Sequence, residues 1–258
     1  MVLILPPPPT VTPRPQYETV EPQTPLVRIF NPATRYKTQA NTYRYFGPLL
    51  RFDHQQPLTK EEAMKLTLKG TASHKGKEDP KRGITYWGYT LSCCLVELFG
   101  DTKIVEFNDY EVAIAIINKP LLLLDIRGTG AMAAGSVAAL GSVADRLVSQ
   151  AWSRFLLNSL NGGNPRNGFS RYFYEQTDIY LHVDGILYSN AHNGEKAVAL
   201  YGHLTHLGRP QVACPHKRSE PIISNASIET RPLKDKSIRH LIDAAVAENN
   251  MNCFEPYI

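Results

Sequence analysis

The 258-residue sequence predicts an α+β domain, and three observations carry that expectation. Short runs of branched and aromatic residues, the pattern of strands, are interspersed with segments whose apolar residues recur at helical spacing. The two kinds of segment do not alternate regularly, which argues against a doubly wound parallel sheet. With 43% hydrophobic and 20% charged residues and no internal repeat, the chain can bury the core of one large domain or two small ones.

Taken in order, the elements begin late. Eight of the nineteen prolines fall within the first 25 residues, so that stretch is expected to be an extended, polyproline-like leader without a fold of its own. "LVRIF" at 26–30 reads as the first strand, and aromatics crowd the segment "YRYFGPLLRFDHQ" after it. A short helix is predicted over 59–68, with Thr59 as N-cap and Glu61 and Glu62 in the first turn, where carboxylates suit the helix dipole.

After the charged loop "SHKGKEDPKRG", "ITYWG" reads as a strand, "TLSCCLVELF" as a helix and "TKIVEF" as another strand. "EVAIAIINKPLLLLDIRG" gives two buried strands broken at Asn118 to Pro120. "DRLVSQAWSRFLLNSL" predicts an amphipathic helix ended by the turn-rich "NGGNPRNG". "DGILYSNAH" gives a strand running into a loop, with "EKAVALYG" a short element behind it. The stretch from Pro210 to Pro232 is irregular, and a last helix is marked by Ile238, Leu241, Ile242, Ala245 and Val246 at helical spacing.

Composition excludes several classes. The net charge of +4 is modest and the two signs are mixed, with no basic stripe and interleaved aromatics, so no nucleic-acid partner is expected. No run of about 18 apolar residues exists to span a membrane. The opening "MVLILPPPP" lacks a charged n-region and is stopped by proline, unlike a signal peptide. The four cysteines, Cys93, Cys94, Cys214 and Cys253, form no CxxC pair and read as thiols in a reducing cytoplasm.

Three motifs fail on their context. Gly128, Gly130 and Ala133 approximate a dinucleotide fingerprint, but the acidic residue that should close the next strand is Asp145, which opens a helix. His203, His206, Cys214 and His216 lack the short ligand pairs of a zinc site, and no metal is expected. No G-x-S-x-G elbow supports a serine hydrolase.

What remains is a set of polar residues at the edges of apolar elements. Glu97 lies in a helix apolar at nearly every angle, which is normally buried, and a buried carboxylate is either partnered or put to use. Arg28 sits inside the first strand, Arg51 follows "GPLL", Tyr86 ends a strand, and Ser189 and Asn190 follow "DGILY". Each alone is ordinarily structural. Together, two arginines can clamp a diphosphate, an aromatic can stack on a flat ring, and a carboxylate can stabilise positive charge developing on a sugar.

These residues stand in the order of a known family. "PLVRIFNP" with Arg28, "FGPLLRFDHQ" with Arg51, Tyr86, "TLSCCLVELFG" with Glu97, and the run through "LLLLDIRGTGAMAAGSVAAL", "SQAWSRF" and "DGILYSNAHNGEKAVALY" resemble the RES-domain proteins, named for an arginine, a glutamate and a serine. The resemblance spans about residues 25–202. It departs from the family pattern in a longer stretch between Arg51 and Tyr86. At the serine motif, Ser189 follows Tyr188 directly and Asn190 occupies the usual slot, so either could take the serine's role.

The resemblance implies a core similar to that of ADP-ribosyltransferase toxins, with a mixed sheet and a central cleft for NAD+. It divides the chain into a leader at 1–25, a catalytic domain at 26–202 and a tail at 203–258. It implies a bacterial, cytoplasmic toxin of a toxin–antitoxin module that cleaves the nicotinamide–ribose bond, by hydrolysis or by phosphorolysis with inorganic phosphate as co-substrate. NAD+ is then a substrate, no cofactor is needed, and a separate antitoxin is the expected protein partner.

In that reading Glu97, Arg28 and Ser189 are catalytic and Arg51, Tyr86 and Asn190 bind substrate. Glu97 lies beside the nicotinamide ribose, Arg28 and Arg51 hold phosphate, Tyr86 stacks on nicotinamide, and Ser189 or Asn190 positions Glu97. Two alternatives share the cleft: transfer of ADP-ribose to a protein, and a non-catalytic module that senses a nucleotide.

Overall fold

A computed structural model describes residues 15–34, 38–47, 50, 52–55, 61–62, 64–65, 77–127, 170, 174, 183–202 and 227–254. The strands are β1 (Gln16–Val20), β2 (Pro25–Phe30), β3 (Phe46–Gly47), β4 (Lys77–Glu78) and β5 (Gly83–Gly88). Helix α1 (Leu91–Phe99) follows, then β6 (Ile104–Glu106), β7 (Glu111–Ile116), β8 (Leu121–Asp125), β9 (Gly185–Ser189), β10 (Lys196–Gly202) and β11 (Ile228–Pro232). A 3₁₀ turn at Lys236–Ile238 leads into α2 (Arg239–Glu248), and β12 (Asn252–Phe254) ends the described chain. The architecture is α+β, as the sequence predicts.

Eight strands form one mixed sheet in the order β1-β8-β9-β10-β5-β2-β7-β11. All neighbours are antiparallel except β8 and β9. Its strands follow the alternation of their side chains. Leu26, Phe30, Trp87, Leu187, Val198 and Leu200 share one core with Tyr43 and Tyr45, while Ile84, Ile186, Tyr188, Ala199 and Tyr201 share another with Phe52 and Tyr174. Near β2 and β7 a third core forms under the two helices, from Val27, Val112, Leu95, Val96, Phe99 and Ile242. Each such aliphatic or aromatic side chain contributes about 1.5–3 kcal/mol on burial.

Helix α1 starts where Thr90 accepts a hydrogen bond from the Cys93 amide at 2.9 Å, an N-cap that satisfies one of the helix's orphan donors. It is not buried all round. Ser92 to Val96 and Phe99 are buried, but Glu97 and Leu98 are exposed, because α1 packs against β2, β5, β6 and α2 through its buried residues and leaves these two outside that packing.

The sheet crosses both boundaries drawn on the sequence. β1 lies within the stretch expected to be an unfolded leader, pairing along β8 from Gln16 opposite Asp125 to Val20 opposite Leu121. β11 lies in the expected tail and pairs along β7, α2 packs on α1, and β12 runs parallel to β6. Residues 1–14 lie outside the described residues, as do the fingerprint-like glycines, the predicted helix at 145–160, and His203, His206, Cys214 and His216. Of the predicted 59–68 helix, Glu61, Glu62, Met64 and Lys65 are described and helical. Cys93 and Cys94 are free thiols, and no helix among the described residues is long and apolar enough to cross a membrane.

Candidate active site

One joint in the sheet is open. β2 and β5 pair only where Val27 faces Gly88, although β2 pairs along its whole length with β7 and β5 along its whole length with β10. Four residues further back along β5, Arg44 bridges Ile84, giving and receiving backbone hydrogen bonds of 2.8 and 3.1 Å. Between these two points, about 13 Å apart along an extended strand, the edge of β5 has no strand beside it among the described residues. By the two-residue period, the backbone N–H and C=O of Tyr86 point to the same edge as those of Ile84.

A cavity of about 820 Å³ fills this split, within the size range of small-molecule and cofactor sites. Tyr43, Tyr45, Phe46, Trp87, Tyr86 and Tyr188 give it aromatic walls. Among the described residues, Arg28, Arg44, Glu78 and Glu97 are its charged lining, together with Thr34, Thr38 and Thr42.

Arg28 projects from β2. Its Nη1 donates to the carbonyls of Ala40 at 2.7 Å and Thr42 at 3.0 Å, and its Cζ lies 5.9 Å from the Trp87 ring centroid and 6.0 Å from that of Phe30. No carboxylate pairs with it among the described residues. Loss of hydration lowers its pKa to about 10, with the neighbouring Arg44 charge pushing the same way, so it stays protonated at neutral pH.

Tyr86 is held by its hydroxyl, which donates to Asp53 Oδ1 at 2.8 Å and accepts from the Phe52 amide at 3.0 Å. Burial, and after it the Asp53 carboxylate, raise its pKa well above the ordinary tyrosine value. Asp53 is sealed from solvent. It also takes both Nη1 and Nη2 of Arg44 at 2.6 Å and the Leu50 amide at 2.8 Å.

Glu97 reaches the cavity from α1. Cys93, Cys94, Glu97 and Leu98 line it together, as the four-residue helical spacing dictates, with Glu97 and the half-exposed Leu98 at the solvent side. Burial pushes the Cys93 thiol up to about 12 and the Cys94 thiol higher, so both are neutral and poor nucleophiles at physiological pH.

The split therefore gathers Arg28, Tyr86 and Glu97 of the residues singled out in the sequence. Ser189 and Asn190 do not line it. Tyr188 takes the cavity side of β9, so the next residue points away. Asn190 is buried, its amide donating to the Cys93 carbonyl at 2.9 Å and its oxygen accepting from the His192 amide at 2.8 Å. It ties the end of β9 to α1. Arg51 lies outside the described residues. The sequence reading missed Arg44 and Asp53, whose pairing within an irregular segment leaves no periodic signal; the only hint is their place in the aromatic-rich stretch.

No protein-family model matches the sequence, and no curated protein matches it. Among solved structures, the MbcT–MbcA toxin–antitoxin complex of M. tuberculosis is similar to this chain at 13% identity and a TM-score of 0.39, covering 91% of this chain and 93% of that one.

Proposed function

We propose that the chain cleaves the glycosidic bond between nicotinamide and ribose in NAD+. The observation that carries this reading is the cavity in the β2–β5 split, where Arg28, Tyr86 and Glu97 converge from separate elements. These are positions at which the resemblance to RES-domain proteins implies site residues. Arg28 holds phosphate, the pinned Tyr86 ring stacks on nicotinamide, and the backbone edge of Tyr86 is disposed to meet the carboxamide.

The chemistry asks little of the protein beyond electrostatics. The bond from ribose C1′ to the nicotinamide nitrogen breaks with its electron pair going to that nitrogen, so nicotinamide leaves neutral and needs no acid. Positive charge develops on C1′ and the ring oxygen, and Glu97 stabilises it. Water then attacks C1′ and releases its proton to solvent, forming ADP-ribose, or a phosphate oxygen attacks and forms the 1-phosphate of ADP-ribose.

Magnitude sets a condition. A carboxylate 4 Å from a unit positive charge contributes about 1 kcal/mol in bulk water and about 4 kcal/mol at an effective dielectric of 20. Because Glu97 is exposed, the bound dinucleotide must itself displace water from the rim. The exposure also favours a second reading, transfer of ADP-ribose to a protein, since an acceptor can reach the rim. A separate antitoxin that covers this mouth is the partner we propose.

The test is to incubate the purified protein with NAD+, with and without inorganic phosphate, and follow nicotinamide and the ribose product. We expect Glu97→Gln to lower turnover about a hundred- to thousandfold. Release of nicotinamide only with phosphate selects phosphorolysis. No release in any condition from folded protein leaves transfer to a protein, or a nucleotide-sensing module, in its place.

A further inference from the structure

A guanidinium offers two hydrogen-bonding forks, one at its end between Nη1 and Nη2 and one at its side between Nη2 and Nε. Asp53 closes the end fork of Arg44, at 2.6 Å to each nitrogen, and the Phe46 carbonyl takes the remaining Nη1 proton at 3.0 Å. Among the described residues nothing takes the side fork. Arg28 repeats the arrangement, its Nη1 spent on two backbone carbonyls and its Nε and Nη2 without a partner among the described residues.

Both arginines line the same cavity. Their charges are close enough for Arg44 to disfavour the charged form of Arg28, and among the described residues the carboxylate hydrogen-bonded to Arg44 is Asp53, while none is bonded to Arg28. Two anchored cations, each with an unused fork, fit a ligand that carries two adjacent anionic groups.

We infer that Arg44 is the second phosphate-binding arginine of the site and offers its Nε–Nη2 fork to a dinucleotide's diphosphate, with Arg28 as the other arm and Asp53 holding the Arg44 guanidinium in place. This rests on the reading of the cavity as a dinucleotide site. It gives Arg44 the role that the sequence suggested for Arg51.

The experiment titrates ADP-ribose, which has the diphosphate but no nicotinamide, into the full chain by calorimetry and measures KM and kcat for NAD+ in parallel. Arg44→Lys keeps the charge beside Asp53 but has no side fork. The double variant Arg44→Gln with Asp53→Asn replaces the ion pair by neutral groups, so that no buried charge is stranded if the lysine variant folds poorly. We expect ADP-ribose affinity to fall about ten- to a hundredfold in both, with KM for NAD+ raised by the same factor in Arg44→Lys.

Folded variants that bind ADP-ribose as tightly as wild type would overturn the inference, and NAD+ cleavage by the wild type would still stand. Wild type that binds ADP-ribose through Arg44 yet releases no nicotinamide would leave the inference standing and remove the cleavage reading. Wild type that does not bind ADP-ribose would overturn the inference, and wild type that in addition releases no nicotinamide would overturn both.

Discussion

Strand β5 has two neighbours and treats them differently. Against β10 it is paired from Gly88 opposite Ala197 to Gly83 opposite Gly202, and Val198, Ala199 and Leu200 on that seam are fully buried. Against β2 it is paired at one point and then parts. The closed seam makes core and the open one makes the cavity. A site of this kind needs no separate pocket-forming domain, only a strand whose second edge is left unpaired over about four residues.

One substitution placed in both regions tests that contrast. Gly185, on β9 opposite Leu200, has no room for a side chain: a Cβ there would stand 2.2 Å from the Ala199 carbonyl oxygen. Gly185→Ala must part β9 from β10, and we expect a loss of about 3 kcal/mol or more in a urea melt. At the β2–β5 joint, a Cβ on Gly88 would meet Cys94 Sγ at 2.8 Å and Cys93 Cβ at 3.1 Å, both on α1. Gly88→Ala should cost about 1–3 kcal/mol while pushing α1, and Glu97 with it, outward. Displacement by about 1 Å is enough to lower catalysis about a hundredfold. If Gly88→Ala keeps wild-type turnover, the joint does not set the position of Glu97.

Much of the closed region was legible in the sequence, because burial on both faces leaves apolar runs. β2, β5, β7, β8 and β9 follow from alternation and branched residues, and α1 from its apolar span. β1 was hidden by the prolines around it, and β11 and β12 by their polar exposed faces. The opening itself was not legible, since strand register is a relation between distant segments and no local pattern in β2 records where β5 leaves it. The same holds for the ion pair of Arg44 with Asp53. Glu97 was found by its incongruity in an apolar helix, though the incongruity was read as burial. In the fold, Glu97 is exposed because the helix borders a cavity on that side.

Tyr86 sharpens the comparison at the open edge. Tyr86→Phe keeps the ring but removes the hydroxyl that joins β5 to Asp53 and Phe52, and we expect a loss of about 1.5–3 kcal/mol, as for other hydrogen bonds to charged groups. The pH dependence has a definite sign. The folded-state pKa of this hydroxyl is raised, so between the ordinary value of about 10 and the raised one the folded state holds a proton that the unfolded state has lost. Its contribution is fully present below about pH 10 and is lost as pH rises beyond that. The stability difference between wild type and Tyr86→Phe, measured by urea melts at several pH values, should be constant at neutral pH and shrink in the alkaline range. A difference that grows there would contradict the raised pKa.

The smallest effects separate Ser189 from Asn190, the two residues at the position where the sequence resembles the serine motif of RES-domain proteins. Asn190 is buried and bonded to the Cys93 carbonyl in α1 and to the His192 amide. Asn190→Ala strands both groups and should cost about 1–3 kcal/mol, with a further loss of turnover as α1 shifts under Glu97. Ser189 is half-buried, is not among the residues that line the cavity, and pairs through its backbone with Lys196. Ser189→Ala leaves that backbone pairing intact, so its stability should stay within about 0.5 kcal/mol of wild type, with turnover near wild type. Melting and NAD+ turnover of the two variants, measured side by side, decide the matter. A loss of turnover in Ser189→Ala without loss of stability would mean that this hydroxyl reaches the substrate from the end of β9, and that the mouth of the cavity extends past Tyr188 to include it.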